Sequence, residues 1–410
     1  MLIELEPHTS TPAKAAGNSP TNPSVVTPDT PLEALNLNWR ERDLPERART
    51  KHVHRLHPYL GKFVPQLVEV FLRKYFSPGK TVLDPFSGSG TTLVQANELG
   101  VHALGYDISA FNVLLSRTKL DRYDLARVRS EALDILEKVR LVTSADARQR
   151  GLWDQDIASA TVPVPDSEYL TQWFAPPALH QLLTYRQLIE TEGYAYPDLL
   201  KVILSRSARS ARLTTHFELD FPKRPQTQPY WCYKHARECA PTTDAFKFLR
   251  RYTIDTLRRL QEFATVRSDA TAAVLHADGR SVHFPLIDGV ITSPPYVGLI
   301  DYHEQHAYAY HLLGLDDRRE AEIGAAADGS SLSARQRYQQ DIAGVFRRAV
   351  QAMPSGGRLI VVANDRLNLF SAIAAMVGVE VEGEVRRHVD RRTGMRASDF
   401  YESVFVWRTR

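Results

Sequence analysis

Thr81-Val82-Leu83-Asp84-Pro85-Phe86-Ser87-Gly88-Ser89-Gly90-Thr91-Thr92-Leu93-Val94 is the stretch that decides the fold of this chain. Its first four residues are a short β-branched and apolar run of buried-strand type. Gly88 and Gly90 then interrupt the run, and a helical pattern occupies 91–99. Gly100 ends that helix, and 101–106 reads as the next strand, closed by Asp107. A helix over 110–119 completes a β-α-β-α run, the pattern of a parallel sheet with right-handed crossovers. Upstream, Leu67, Val68, Val70, Phe71 and Leu72 fall at helical spacing, and Ser77-Pro78-Gly79 is a turn.

Working outward, the alternation stops over 121–270, which looks largely helical and irregular. Strand patterns return at 273–276 and 289–292, followed by helices near 303–313 and 334–352. A further strand fits 358–362, a helix 369–377, and two closing strands 379–389 and 401–407. The expected fold is α/β: a doubly wound, Rossmann-like sheet whose first part is 36–120 and whose second part is 271–410. A large, mostly helical insertion over 121–270 separates the two parts, a natural place for a module that reads a substrate. Residues 1–35 are rich in Pro, Thr, Ser and Asn and are expected to form a disordered arm.

The chain has 410 residues, 43% of them hydrophobic, enough for one large core with something attached. A net charge of +3 permits a nucleic-acid partner without requiring one. Two cysteines, Cys232 and Cys239, cannot staple a protein of this size, so a reduced, cytoplasmic setting is expected. The first residues offer neither a basic nor an apolar leader segment, and no run approaches a membrane span. No membrane partner is expected.

The glycine turn between strand and helix lets backbone approach a ligand, and the helix N-terminus favours negative charge. Two common nucleotide motifs fail here. A phosphate-binding G-x-x-x-x-G-K-[ST] loop ending at Gly79-Lys80-Thr81 would start with glycine where Lys74 stands. A G-x-G-x-x-G fingerprint starting at Gly88 would need glycine where Leu93 stands. What fits is an acid at each of two strand ends. Asp107 suits the two ribose hydroxyls of a nucleoside cofactor, and Asp84 can face the ammonium of an amino-acid moiety. The competing reading of either aspartate is a plain helix cap.

Thr292-Ser293-Pro294-Pro295-Tyr296 ends the strand over 289–292. The proline pair stops the ladder and fixes an extended loop. An exocyclic base amine is a poor nucleophile because its lone pair is delocalised into the ring. The Ser293 hydroxyl and Pro294 carbonyl can accept its two N–H bonds and favour a pyramidal nitrogen, while Tyr296 can stack on the base. Catalysis of direct displacement is then positioning and electrostatics. The base must leave the duplex stack, at a cost of about a few kcal/mol. A structural proline turn with a packed tyrosine is the competing reading.

Together, DPFSGSGTT (84–92) and TSPPY (292–296) resemble the paired motifs of the amino-group DNA methyltransferases, the N6-adenine and N4-cytosine enzymes. The resemblance covers roughly 50–120 and 270–410 and leaves the insertion uncovered. It implies S-adenosylmethionine as cofactor and double-stranded DNA as substrate, with a cognate restriction endonuclease as an implied partner. It implies a catalytic loop of Ser293, Pro294, Pro295 and Tyr296. It also implies a cofactor site made from Tyr59, Lys62, Phe63, Asp84, Pro85, Phe86, Gly88, Gly90, Thr91, Asp107, Ile108, Asp278 and Gly279. The S-P-P-Y form is typical of N4-cytosine members, and the order of motifs resembles the family's alpha arrangement. Asp278 lies after the insertion, which is a departure.

Within the insertion, Arg206, Arg209 and Arg212 recur every third residue and suggest one basic helical face for phosphates. Basic residues mix with aromatics over 230–237, a composition suited to groove contacts. Target recognition is therefore expected within 121–270, against the alternative of a solvated helical face. Cys232, His235 and Cys239 invite a zinc reading, but the spacing is poor and no fourth ligand is evident; no metal is expected. A cytosine-C5 enzyme would need a Pro-Cys nucleophile, which neither cysteine provides. Adenine-N6 methylation, a tRNA guanine-N2 enzyme and an inactive DNA-binding homologue remain as alternatives.

Overall fold

The computed structural model describes residues 19–59, 61, 63–144, 167–219, 222–298, 301–325, 329, 331–389 and 400–410. Helices α1 (Glu46–Arg49) and α2 (Pro65–Tyr75) precede strand β1 (Thr81–Asp84), and α3 (Thr91–Glu98), β2 (His102–Asp107) and α4 (Ala110–Leu120) follow it. Next come α5 (Leu125–Thr143), α6 (Glu168–Trp173), α7 (Pro176–Thr191) and α8 (Pro197–Ala211). A hairpin of β3 (Tyr230–Cys232) and β4 (Arg237–Cys239) leads to α9 (Phe246–Ala264). The chain then returns to the sheet with β5 (Ala272–His276) and β6 (Gly289–Thr292). It ends with α10 (Tyr302–Gln305), α11 (Ala307–Leu313), α12 (Leu332–Gln351), β7 (Arg358–Ala363), α13 (Phe370–Val377), β8 (Glu380–Val389) and β9 (Phe400–Arg408).

The main sheet has strand order β5-β2-β1-β6-β7-β9-β8. Strands β5, β2, β1, β6 and β7 pair in parallel, while β9 is antiparallel to both β7 and β8. From β1 the chain winds outward to β2 and β5, then crosses back to start the other half at β6. The switch point is thus between β1 and β6, where open α/β sheets leave a crevice outside their carboxyl ends.

Side chains alternate across the pleat, and the two cores show it. Val82, Ile291, Ile360, Val404 and Val406 face one core, shared with α2, α5, α7, α8 and α9. Leu83, Val290, Leu359, Phe405 and Trp407 face the other, covered by α12 and α13. The described helices α5, α7, α8 and α9 are therefore a layer built into the sheet's own core.

Two expectations need correction. The arm expected to be disordered through residue 35 is ordered from residue 19 onward. Val26 and Leu35 are buried in the first core, and Trp39 donates through Nε1 to the Thr21 carbonyl at 2.9 Å. The Thr21 amide donates to the Asn36 carbonyl at 2.8 Å, so polar residues close a loop that composition alone counted against order. Residues 1–18 of that arm lie outside the described residues. The hairpin of β3 and β4 also interrupts a stretch read as helical and irregular, because three-residue strands are too short to show a period.

Candidate active site

The glycine loop between β1 and α3 is held from two sides. The Ser87 amide donates to the Tyr106 carbonyl at 2.9 Å, and the Gly90 amide to the Ser87 carbonyl at 2.7 Å. Gly88 and Gly90 have φ of +48° and +76°, in the left-handed region that favours glycine. A Cβ on Gly90 would stand 2.8 Å from Ser116 Oγ, and one on Gly88 3.2 Å from the Tyr59 hydroxyl. Both neighbours belong to the site. Ser116 Oγ donates to the Gly88 carbonyl at 2.9 Å, and the buried Lys119 ammonium donates to the Ser89 carbonyl. Asn112 Nδ2 reaches both Asp107 Oδ1 (3.0 Å) and the Tyr59 hydroxyl (3.1 Å). Asn112, Ser116 and Lys119 recur at i, i+4 and i+7, one polar stripe of α4 turned onto the loop.

Asp107 closes β2 with its carboxylate engaged. Oδ2 accepts from the Gly88 amide at 2.7 Å, and Oδ1 from the Ser109 amide at 2.9 Å. Burial pushes its carboxyl above the usual range, against the pull of these donors.

Outside the carboxyl ends of β1, β2, β5 and β6 lies a partly enclosed cleft, at the place where open α/β sheets bind their ligands. Tyr59, Phe63, Pro85, Phe86, Gly88, Thr91, Asp107, Ile108, Asp278, Gly279, Ser293 and Pro295 all line it. The cleft thus draws together residues from five separate segments of the chain. Lys62 lies outside the described residues. Gly90 sits behind the loop against Ser116, and Pro294 is buried beneath the turn.

Asp84 and Tyr296 take places that motif reading did not foresee, off the cleft wall. Asp84, 2% exposed, accepts from Thr292 Oγ1 at 2.6 Å, a bond joining the cofactor-type loop to the serine–proline turn. Burial raises its carboxyl to about 6, with the Thr292, Thr92 and Phe86 donors opposing and the Asp107 charge adding. Such a group binds its proton more tightly when folded. Its contribution to stability is full below pH 4 and is lost as pH rises through 6. Asp84→Asn should therefore flatten the pH dependence of unfolding between pH 4 and 7. Above pH 6 it should stabilise the ligand-free protein by up to about 3 kcal/mol. Urea midpoints measured across that range check it, and parallel curves for both proteins would count against the assignment.

The Tyr296 hydroxyl donates to Glu402 Oε1 at 3.1 Å, and the Ser293 side chain also reaches that hydroxyl. Glu402 is paired with Arg387 at 3.1 Å, both nearly buried. The turn is thus braced against β8 and β9 by Arg387, Glu402 and Tyr296 in series. The Tyr338 hydroxyl holds the Pro295 carbonyl at 2.8 Å.

Sequence reading missed Glu322 and Tyr302. Both line the cleft, and Tyr302 stacks on Tyr59 with ring centroids 5.8 Å apart. Glu322 is fixed by the His303 amide (3.0 Å) and ring nitrogen, a pairing across nineteen residues that no local motif announces. Asp278 is gripped by Arg280 at 2.7 Å, which also donates to the Ala321 carbonyl and so ties β5 to the loop carrying Glu322.

Of the three arginines expected to form a phosphate face on α8, Arg206 and Arg212 are buried and Arg209 is half-buried. Arg206 is buried, paired with Asp255 of α9 at 2.8 Å and set over the Tyr252 ring. Arg212 is buried over the Tyr308 ring and donates to the Leu219 carbonyl. Threefold spacing places these residues on one face, and its two ends, Arg206 and Arg212, are turned inward. Asp255 also holds Arg259 at 2.8 Å. Asp255→Ala would leave two buried guanidinium groups without their carboxylate and should destabilise the fold by about 2 kcal/mol, part of the penalty for breaking a buried pair. Arg206→Ala should lower the urea midpoint and leave the salt slope of DNA binding unchanged. A slope reduced by about one would restore Arg206 as a phosphate contact.

A family model described as DNA methylase matches residues 24–116. Type II methyltransferase M.MjaII of Methanocaldococcus jannaschii is 34% identical over 430 residues, spanning 88% of this chain and 81% of that protein. Type II methyltransferase M.BsoBI of Geobacillus stearothermophilus is 24% identical over 310 residues, spanning 68% of this chain and 56% of that protein. Among solved structures, TrmN from Thermus thermophilus is 14% identical and covers 85% of this chain and 50% of its own, with a TM-score of 0.32. An identity of 34% across most of both chains, with a glycine loop and a serine–proline turn walling one cleft, makes this chain a member of the DNA methylase family.

Proposed function

We propose that the protein methylates the exocyclic N4 amine of a cytosine in duplex DNA, with S-adenosylmethionine as donor. The observation that carries this reading is the shared cleft, which Gly88 and Asp107 line together with Ser293 and Pro295. The residues present fit the cofactor. Asp107 offers a carboxylate for ribose hydroxyls, Phe63 and Ile108 offer apolar walls, and Asp278-Gly279, which line the same cleft, would take the adenine edge. Glu322 adds a third carboxylate beside those of Asp107 and Asp278, and a cation near Asp84 would draw its carboxyl back down.

When bound, the cofactor supplies an electrophilic methyl on a sulfonium. The chain's own part is to position the acceptor. The Ser293 hydroxyl and Pro294 carbonyl accept the two N–H bonds of the amine and favour its pyramidal form, while Tyr296, anchored on Glu402, remains the candidate platform for the unstacked base. A serine at the first position of the turn favours cytosine over adenine. The exposed Arg40, Arg42, Arg366 and Arg386 line an open groove beside the end of β7, a path suited to the phosphates of the duplex. The Type II names of the relatives make site-specific methylation beside a cognate endonuclease the matching biological role. Among the described residues no helix is long and apolar enough to cross a membrane.

The test is nucleoside mass spectrometry on DNA incubated with the protein and S-adenosylmethionine, with sequencing of the modified context. N4-methylcytosine in a fixed sequence is the expected product. N6-methyladenine alone would overturn the choice of base, and unmodified DNA would overturn the reading as a whole.

A further inference from the structure

We propose that His216, Cys232, His235 and Cys239 form a structural zinc site that fastens the β3–β4 hairpin to the segment following α8. One ligand atom from each residue lies within 4.8 Å of all the others. Cys232 Sγ is 3.4 Å from His216 Nδ1 and 3.5 Å from His235 Nδ1, and Cys239 Sγ is 3.5 Å from that same nitrogen. A tetrahedral zinc with bonds of about 2.3 Å to sulfur and about 2.0–2.1 Å to nitrogen sets its S···N edges at about 3.6 Å. The observed spacings match such an edge. His216 is the fourth ligand that sequence spacing did not reveal. It lies sixteen residues before Cys232 and comes within reach only because the hairpin folds back on it.

The donor set has the chemistry of a closed structural site. Two thiolates balance the charge of the ion after giving their protons to solvent, and four protein ligands leave no open position. One contact competes: the Tyr230 hydroxyl lies 2.8 Å from His216 Nδ1 and must yield that lone pair to the ion. The hairpin also needs a brace. Its strands are three residues each, it pairs with no other strand among the described residues, and a two-stranded ribbon of this size is marginal in water. It nevertheless presents exposed Trp231 and Tyr233, rings that only a fixed hairpin could offer to a partner.

The experiment uses the full chain purified under reducing conditions without chelator, and reads metal content directly. Zinc equimolar with protein is expected, released by a mercurial thiol reagent. Cobalt in its place should give the visible bands of a tetrahedral ion and a near-ultraviolet thiolate charge-transfer band. Cys239→Ser and His235→Ala should lose the equimolar metal, whereas Tyr230→Phe should keep it. The cobalt spectrum of the unaltered chain tests the site even where a variant folds poorly. A chain that takes up neither zinc nor cobalt at equimolar concentration overturns the proposal. So does equimolar zinc retained by the Cys232→Ser, Cys239→Ser double variant, which would put the ion at the buried His52, His54 and Glu98 cluster.

Discussion

Ser293→Ala is expected to reduce methyl transfer by about 10² to 10³-fold, the cost of removing one preorganised hydrogen-bonding group aimed at the reacting atoms. The argument is local. Ser293 stands at the cleft wall directly after β6, and its neighbours Thr292 and Pro295 are held by Asp84 and the Tyr338 hydroxyl. Removing one half-buried hydroxyl leaves those anchors in place. The loss should therefore fall on kcat, with the dissociation constant for S-adenosylmethionine changed by no more than about 3-fold. Single-turnover rates on a duplex carrying the target site separate chemistry from product release. Near-full activity in Ser293→Ala would remove the turn from the mechanism. A collapse of cofactor affinity would show that the serine acts by holding the glycine loop.

The fold was legible because each sheet strand carries its burial in its spelling. Val290-Ile291 and Leu359-Ile360-Val361-Val362 send alternate residues to opposite cores, as a strand with helices on both faces must. The glycine turn between β1 and β2 fixed the first crossover, and the proline pair after Thr292 fixed where β6 stops. Less was legible where order comes from contacts distant in sequence. Residues 19–35 have a loop's composition, yet the Leu32 side chain packs so closely on β8 that a Cβ at Gly383 would meet it at 2.7 Å. The helical spacing of Arg206, Arg209 and Arg212 states a shared face but not which way the face points. That depends on Asp255, 49 residues further on.

The same division runs through the site. Residues within the two motifs could be named because a glycine loop and a serine–proline turn each need specific neighbours in the chain. Asn112, Ser116 and Lys119 were also within reach of sequence reasoning, since three polar residues at i, i+4 and i+7 on a largely buried helix require a polar partner. Glu322 was not, because its place depends on His303 and on a loop of irregular backbone. Tyr296 shows a further limit. A motif identifies the residue but not its anchor, and here the anchor is Glu402, 106 positions away.

Asp107→Ala should weaken binding of S-adenosylmethionine by about 10² to 10⁴-fold, since two hydrogen bonds to a charged group are worth about 1.5–3 kcal/mol each. Loss of affinity alone would not prove contact with ribose. Asp107 also accepts from the Gly88 and Ser109 amides and from Asn112, so its removal leaves two backbone amides without their acceptor, leaves Asn112 only the Tyr59 hydroxyl, and loosens the glycine loop. The two causes separate in a double-mutant cycle in which the ligand is the second mutant. Calorimetry with S-adenosylhomocysteine and its 2′,3′-dideoxyribose analogue should show a strong preference for the hydroxylated ligand in the unaltered protein. In Asp107→Ala both should bind weakly and almost equally. If the variant keeps the full preference while losing affinity, Asp107 shapes the loop and the ribose is held elsewhere. Glu322 is then the group to alter next, because it is the other carboxylate that the cleft wall offers among the described residues close to Asp107.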